Sequence, residues 1–159
     1  MLNTGLHVTD THREHDLKQR GILFLAEEID GTAFREFAKD LVFLTNMPQL
    51  KDNPIWVVLN SPGGDVYHGL GIHNLIASYV KRGFNIPVIG CGLVASMGIT
   101  IMQASNRRCS LPHTQFLIHQ ISKYHGFDRE EVNVAEENTD ELKRLNRIDM
   151  QIIADRIGL

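Results

Sequence analysis

The sequence predicts an α/β fold, a mostly parallel sheet with helices packed on it. Three observations carry that reading. Short apolar runs alternate with longer segments of helical period in the order strand, helix, strand, helix, strand, helix, which is the order of stacked βαβ units with right-handed crossovers. The run Ile55-Trp56-Val57-Val58-Leu59 is apolar without interruption, as expected of a strand covered on both faces. The loops leaving three of the strands are glycine-rich or polar, and such sheets place their chemistry at the loops beyond the strand C-termini.

The elements follow in order. Residues 1–18 are polar and mixed in charge and read as a flexible arm; residues 19–159 read as one domain. Gly21 to Leu25 is a short apolar run bounded by charges, a buried strand. Asp30-Gly31-Thr32 starts a helix whose Phe34, Phe37, Ala38, Leu41 and Leu44 recur at three- and four-residue spacing. A loop around Pro48 and Pro54 leads to the Ile55 strand, then to the turn Asn60-Ser61-Pro62-Gly63-Gly64-Asp65. A helix over 66–81, ended by Gly83, leads to a strand over 87–91 and a helix over 95–105 rich in small residues and Met. Two short strands, 108–111 and 115–119, precede a long helix over 128–156 with Val132, Ala135, Leu142, Leu145, Ile148 and Ile152 along one side.

Composition narrows the function classes. The 159 residues are 43% hydrophobic and 22% charged, which is globular rather than disordered. Sixteen Lys and Arg against 19 Asp and Glu leave a net charge of −3, so no basic excess points to nucleic acid. The two cysteines, Cys91 and Cys109, lie in apolar-flanked segments and read as thiols of a reducing compartment. The polar first residues lack the apolar stretch of a signal peptide, and no apolar run is long enough to span a membrane, so a soluble cytoplasmic protein is expected. Between Asp65 and Asp128 there is no acid.

Three segments offer chemistry. Paired Gly63 and Gly64, between a strand and a helix, allow close backbone approach and can aim N–H donors into a pocket; a plain turn explains them equally well. Ser96, in Val94-Ala95-Ser96-Met97-Gly98, follows a strand and opens a helix, as a nucleophile on a tight turn does, although Val94 stands where the first glycine of that motif is usual. The N–H of Met97 is then a candidate oxyanion donor, while the commonest role of a serine here is simply to cap the helix. The same stretch reads G-x-G-x-x-A from Gly90 to Ala95, but a dinucleotide site needs an acid about 20 residues on, within the acid-free middle. His119 ends a strand and can act as base to Ser96, or can be satisfied by a backbone carbonyl. The other histidines lack metal-ligand spacing, so no metal is expected.

Together, Ile22-Leu23-Phe24-Leu25, Leu59-Asn60-Ser61-Pro62-Gly63-Gly64, Ala95-Ser96-Met97-Gly98 and Leu117-Ile118-His119-Gln120 resemble, in order and spacing, the proteolytic subunit family of the Clp protease, ClpP, over residues 16–159. The resemblance implies Ser96 as nucleophile, His119 as general base, and the backbone N–H groups of Gly64 and Met97 as the oxyanion hole. It implies the crotonase-like α/β spiral of βαβ units, with the helix over 128–156 as a protruding handle through which two heptameric rings stack. The implied function is that of an ATP-dependent Clp protease proteolytic subunit, a serine endopeptidase that cleaves unfolded polypeptides and short peptides inside an oligomeric chamber. Its implied partners are further copies of itself and an AAA+ unfoldase, which uses the ATP; no cofactor, nucleic acid or membrane is implied for the subunit.

The chain departs from the family in three places. The family's catalytic Asp follows the handle helix, so the third acid is expected beyond Leu159. Residues 121–127 contain one glycine where the family has a glycine-rich segment, and the 81–86 loop is slightly longer. Two other readings stay open: a non-catalytic subunit of a mixed ring, and another crotonase-fold enzyme that uses paired N–H groups on a thioester enolate.

Overall fold

The computed structural model describes residues 10–120 and 132–158, with the side chains of 10–12 and 132–138 left aside. Five strands form one sheet: β1 (Ile22–Leu25), β2 (Trp56–Ser61), β3 (Val88–Ala95), β4 (Arg108–Ser110) and β5 (Gln115–Leu117). The order is β1-β2-β3, and both β4 and β5 pair with β3, all in parallel. β4 runs beside Val88–Gly90 and β5 beside Leu93–Ala95, so two short strands share successive stretches of one long one.

The helices are α1 (Asp10–Gln19), α2 (Gly31–Thr45), α3 (Val66–Lys81), α4 (Met97–Gln103) and α5 (Val132–Ile157), with a 3-10 turn at Pro48–Leu50. Asp30 caps α2: its Oδ1 accepts from the N–H groups of Thr32 and Ala33 at 2.8 Å each. The α2 stripe then buries Ala33, Phe37, Leu41 and Leu44. Against it lie Leu23, Leu25, Val57 and Leu59 from the sheet and Ile72 and Ile76 from α3. Each such aliphatic side chain removed from water contributes about 1.5–3 kcal/mol. α4 is buried along nearly its whole length, from Met97 to Met102, as an apolar helix without a polar face must be.

The structure departs from the expectations in three places. β2 is covered on one face only: Val57, Leu59 and Ser61 are buried, while Trp56, Val58 and Asn60 on the alternate face are not. Apolar residues on both faces therefore do not mean burial on both, and Phe24, which points the same way from β1, is 54% exposed. The flexible arm expected over 1–18 is helical from Asp10, because charges spaced one turn apart find partners. Lys18 pairs with Glu14 on its own helix and with Asp40 of α2, each at 2.7 Å. Finally, the strand expected over 87–91 runs on as β3 to Ala95, and the helix expected from 95 begins at Met97. β3 carries two more residues than β2 between the pairs Leu59↔Gly90 and Ser61↔Val94. The Asn60 side-chain oxygen fills the irregularity by accepting from the Leu93 N–H at 3.0 Å.

The long helix expected over 128–156 is described from Val132; the segment 121–127 lies outside the described residues. The later part of α5 packs onto the domain. Leu145 and Asp149 are buried, Asp149 accepts a hydrogen bond from the fully buried Thr100 hydroxyl of α4, and Arg156 donates to the Ser105 carbonyl at 2.7 Å. Tyr67 of α3 donates to Glu141 at 2.6 Å, and with Arg144 it holds that carboxyl down to about 2, the Arg144 hydrogen bonds contributing most. No helix among the described residues is long and apolar enough to cross a membrane.

Candidate active site

β3 delivers Ser96 to the C-terminal edge of the sheet. Val94 and Ala95 are buried, and Met97 begins the apolar α4, so the chain must turn at Ser96 without exposing its neighbours. It does so at φ 51°, ψ −124°, a conformation that L-residues rarely adopt. The turn is held by the Ser96 N–H donating to the Leu117 carbonyl of β5 at 2.9 Å and by the Ile99 N–H donating to the Ser96 carbonyl at 2.9 Å. Ser96 occupies the N-cap position, yet its side chain makes no capping hydrogen bond. Capping therefore does not account for it. As the first helical residue, Met97 has an N–H with no carbonyl of its own helix to meet.

The Ser61–Asp65 turn packs directly against this serine. Ser61 is fully buried; its hydroxyl donates to the Glu27 carbonyl at 2.5 Å and accepts from the Gly63 N–H at 3.1 Å. Ile29 then bridges the turn, donating to the Gly63 carbonyl at 2.8 Å and accepting from the Asp65 N–H at 2.7 Å. That bridge uses neither polar group of Gly64, whose N–H faces away from Ile29. Both glycines are obligatory. Gly63 has φ +93° and Gly64 φ +147°, and a Cβ on Gly64 would sit 2.3 Å from the Ile29 carbonyl oxygen.

His119 lies just beyond β5 and is exposed. Its Nδ1 is 2.7 Å from the Gln120 carbonyl oxygen. A carbonyl can only accept, so Nδ1 carries the proton and the neutral ring keeps its lone pair on Nε2. Ser96, His119, Gly63 and Gly64 line one cleft of about 400 Å³. Pro62 and Val66 form apolar walls, and Glu28 supplies the one carboxylate among the described residues of the lining. Of the sequence-expected site residues, Ser96, His119 and Gly64 thus meet at one cleft, with Met97 directly following Ser96 in the chain.

Asp65 and Asp149 are engaged by groups other than His119. Asp65 caps α3, accepting from the His68 N–H at 2.9 Å, and lies 2.8 Å from the His68 ring Nδ1. Asp149 faces Thr100. Glu28 was not singled out by sequence, because the β1–α2 loop carries no motif; its position at the C-terminal end of a parallel strand was the available signal. Among the described residues, no three His, Cys, Asp or Glu side chains gather as a metal-ligand group.

A family model described as Clp protease matches residues 7–158. ATP-dependent Clp protease proteolytic subunit 3 of Synechococcus sp. (strain CC9605) is 32% identical over 139 residues, covering 86% of this chain and 66% of that protein. Proteolytic subunit 2 of Prochlorococcus marinus (strain MIT 9312) is likewise 32% identical over 139 residues, covering 86% and 65%. The chain thus spans just under two thirds of the length of these curated relatives. A ClpP1 mutant from Listeria monocytogenes superposes with a TM-score of 0.76 at 29% identity, covering 92% of this chain and 77% of that one. The ClpP protease catalytic domain from Plasmodium falciparum, at 24% identity and TM-score 0.75 over 96% and 75% of the two chains, shares the fold.

Proposed function

This chain belongs to the Clp protease family, and from that premise we propose that it is the proteolytic subunit of an ATP-dependent Clp protease, a serine endopeptidase acting on unfolded polypeptides and short peptides. One observation carries the serine-type reading: Ser96 sits at a helix start without capping it, on a strained turn that opens into the same cleft as His119 and Gly64.

In the proposed mechanism Ser96 Oγ attacks the scissile carbonyl while His119 Nε2 takes its proton. The Gly64 and Met97 N–H groups receive the developing oxyanion. The histidine then returns the proton to the leaving amine, and water, activated the same way, releases the acyl group. The Nδ1–H bond to the Gln120 carbonyl supports this tautomer. A backbone carbonyl orients the ring but carries no full charge to stabilise the imidazolium. Losing the carboxylate in the serine-protease template costs roughly 10⁴ in turnover. In the active assembly a carboxylate is proposed to take the place of the Gln120 carbonyl at His119 Nδ1.

The subunit is further proposed to act as a heptameric ring, two rings stacking through α5, fed by an AAA+ unfoldase that consumes the ATP, with no cofactor on the subunit. The open face of the sheet and the exposed Phe24, Phe116, Leu117 and Ile118 support burial against further copies. A second reading, a ring subunit without turnover, is favoured by His119 Nδ1 meeting a carbonyl rather than a carboxylate. Intact-mass analysis after fluorophosphonate treatment, with Ser96→Ala as control, tests the site. A single adduct lost in Ser96→Ala is expected, and equal labelling of both would remove Ser96 from the mechanism. Turnover of a fluorogenic peptide separates the two readings.

A further inference from the structure

We propose that Glu28 is a specificity-determining residue that favours a lysine or arginine next to the scissile bond; this rests on the peptidase reading above. Glu28 is exposed in the β1–α2 loop and lines the cleft that holds Ser96 and His119. Its backbone is anchored on both sides to the turn that carries Gly64. The preceding carbonyl, of Glu27, accepts from the buried Ser61 hydroxyl at 2.5 Å, and the following residue, Ile29, makes both bonds of the bridge to Gly63 and Asp65. The Ile29 side chain is 1% exposed and enters the core. In extended chain the neighbouring side chain points the opposite way, which turns Glu28 outward to the cleft. Its carboxylate has no ion-pair partner among the described residues.

The lining matches a long cationic side chain. Pro62 and Val66 offer apolar surface to a methylene stem, and Glu28 offers an anion to its tip. Among the described residues His119 is the only other ionisable side chain in the lining, and Asp65 is directed to the α3 N-terminus and His68. A partly exposed pair of this kind gives a modest preference, about fivefold, weakened by salt.

The test uses the full chain and two readouts. In the first, peptide fluorophosphonates that differ only in carrying Arg or Leu beside the reactive group label Ser96, and the ratio of labelling rates is compared between wild type, Glu28→Gln and Glu28→Lys. The Arg/Leu ratio should be about 5 in the wild type, near 1 in Glu28→Gln, and inverted relative to wild type in Glu28→Lys. In the second, Arg- and norleucine-containing peptides are titrated into Ser96→Ala and Ser96→Ala/Glu28→Gln, so that binding is read without chemistry. A ratio and a binding difference that do not change on removing the carboxylate would overturn the assignment, as would a uniform loss of labelling with both probes. Absence of any Ser96 labelling, with the Glu28-dependent binding difference intact, would overturn the peptidase reading instead.

Discussion

The Cβ that Gly63 lacks would lie 2.6 Å from the Cβ of Ser96. Two turns from different parts of the chain thus meet with no room for a methyl group, and Gly63 also needs φ +93°. Gly63→Ala must push the 61–65 turn away from Ser96 or break the Ile29 bridge. We expect at least about tenfold slower fluorophosphonate labelling of Ser96 and a stability loss of about 1–3 kcal/mol, read by mass spectrometry and urea unfolding. Labelling at the wild-type rate would show that the contact does not set the site.

Ser96 should be a residue held against its own stability. At φ 51°, ψ −124° a glycine is at ease and any residue with a Cβ is strained. Ser96→Gly should therefore be more stable than Ser96→Ala by about 1–3 kcal/mol, although both lack the hydroxyl and neither takes the fluorophosphonate. Thermal unfolding of the two variants side by side decides it; equal stability would mean that the turn is not strained.

The buried Thr100–Asp149 contact joins α5 to α4. Thr100→Val keeps the shape but leaves the carboxylate without its donor, at a cost of about 1–3 kcal/mol. Replacing both, as Thr100→Val with Asp149→Leu, should recover much of that loss, since no buried charge remains. A double variant no more stable than Thr100→Val alone would contradict this account.

His73 sets a pH dependence. Burial is the largest influence on its ring and pushes its pKa below the usual 6.5; the Asn74 hydrogen bond opposes this, and the Arg156 charge adds to the depression. The unfolded chain therefore takes up this proton at a higher pH than the folded one. Stability is complete above about 6.5 and falls as the pH drops through and below that value. Urea unfolding across the mildly acidic range should show a shallower decline for His73→Gln than for wild type. Parallel slopes would place the titration elsewhere.

Much of the site was legible because its parts are local signals. Strand, Ser61-Pro62-Gly63-Gly64 and helix, or strand, Ser96 and helix, can each be read from a dozen residues. The α2 stripe and the α3 limits were equally plain, since period and caps are local. What was not legible depends on partners distant in the chain. The open face of β2 follows from there being no second helical layer over Trp56 and Val58 among the described residues, which the apolar run itself does not record. β3 runs on to Ala95 because Leu93–Ala95 pair with β5 and the Asn60 side chain accepts from the Leu93 N–H, partners that the glycines of Gly90–Gly92 do not record. The role of Glu28 depends on Ile29 pairing with Gly63, 34 positions away.

Ser61 gives the site a mechanical property. Its one hydroxyl is bonded in two directions, to Glu27 on one loop and to Gly63 on another, and it is shut off from water that could lubricate either bond. It is a shared pivot: a displacement of the Glu27 carbonyl and one of the Gly63 N–H both act on the same buried oxygen. In the proposed peptidase, the surface assigned to substrate selection and the donors assigned to the oxyanion are thus tied together through one buried hydroxyl.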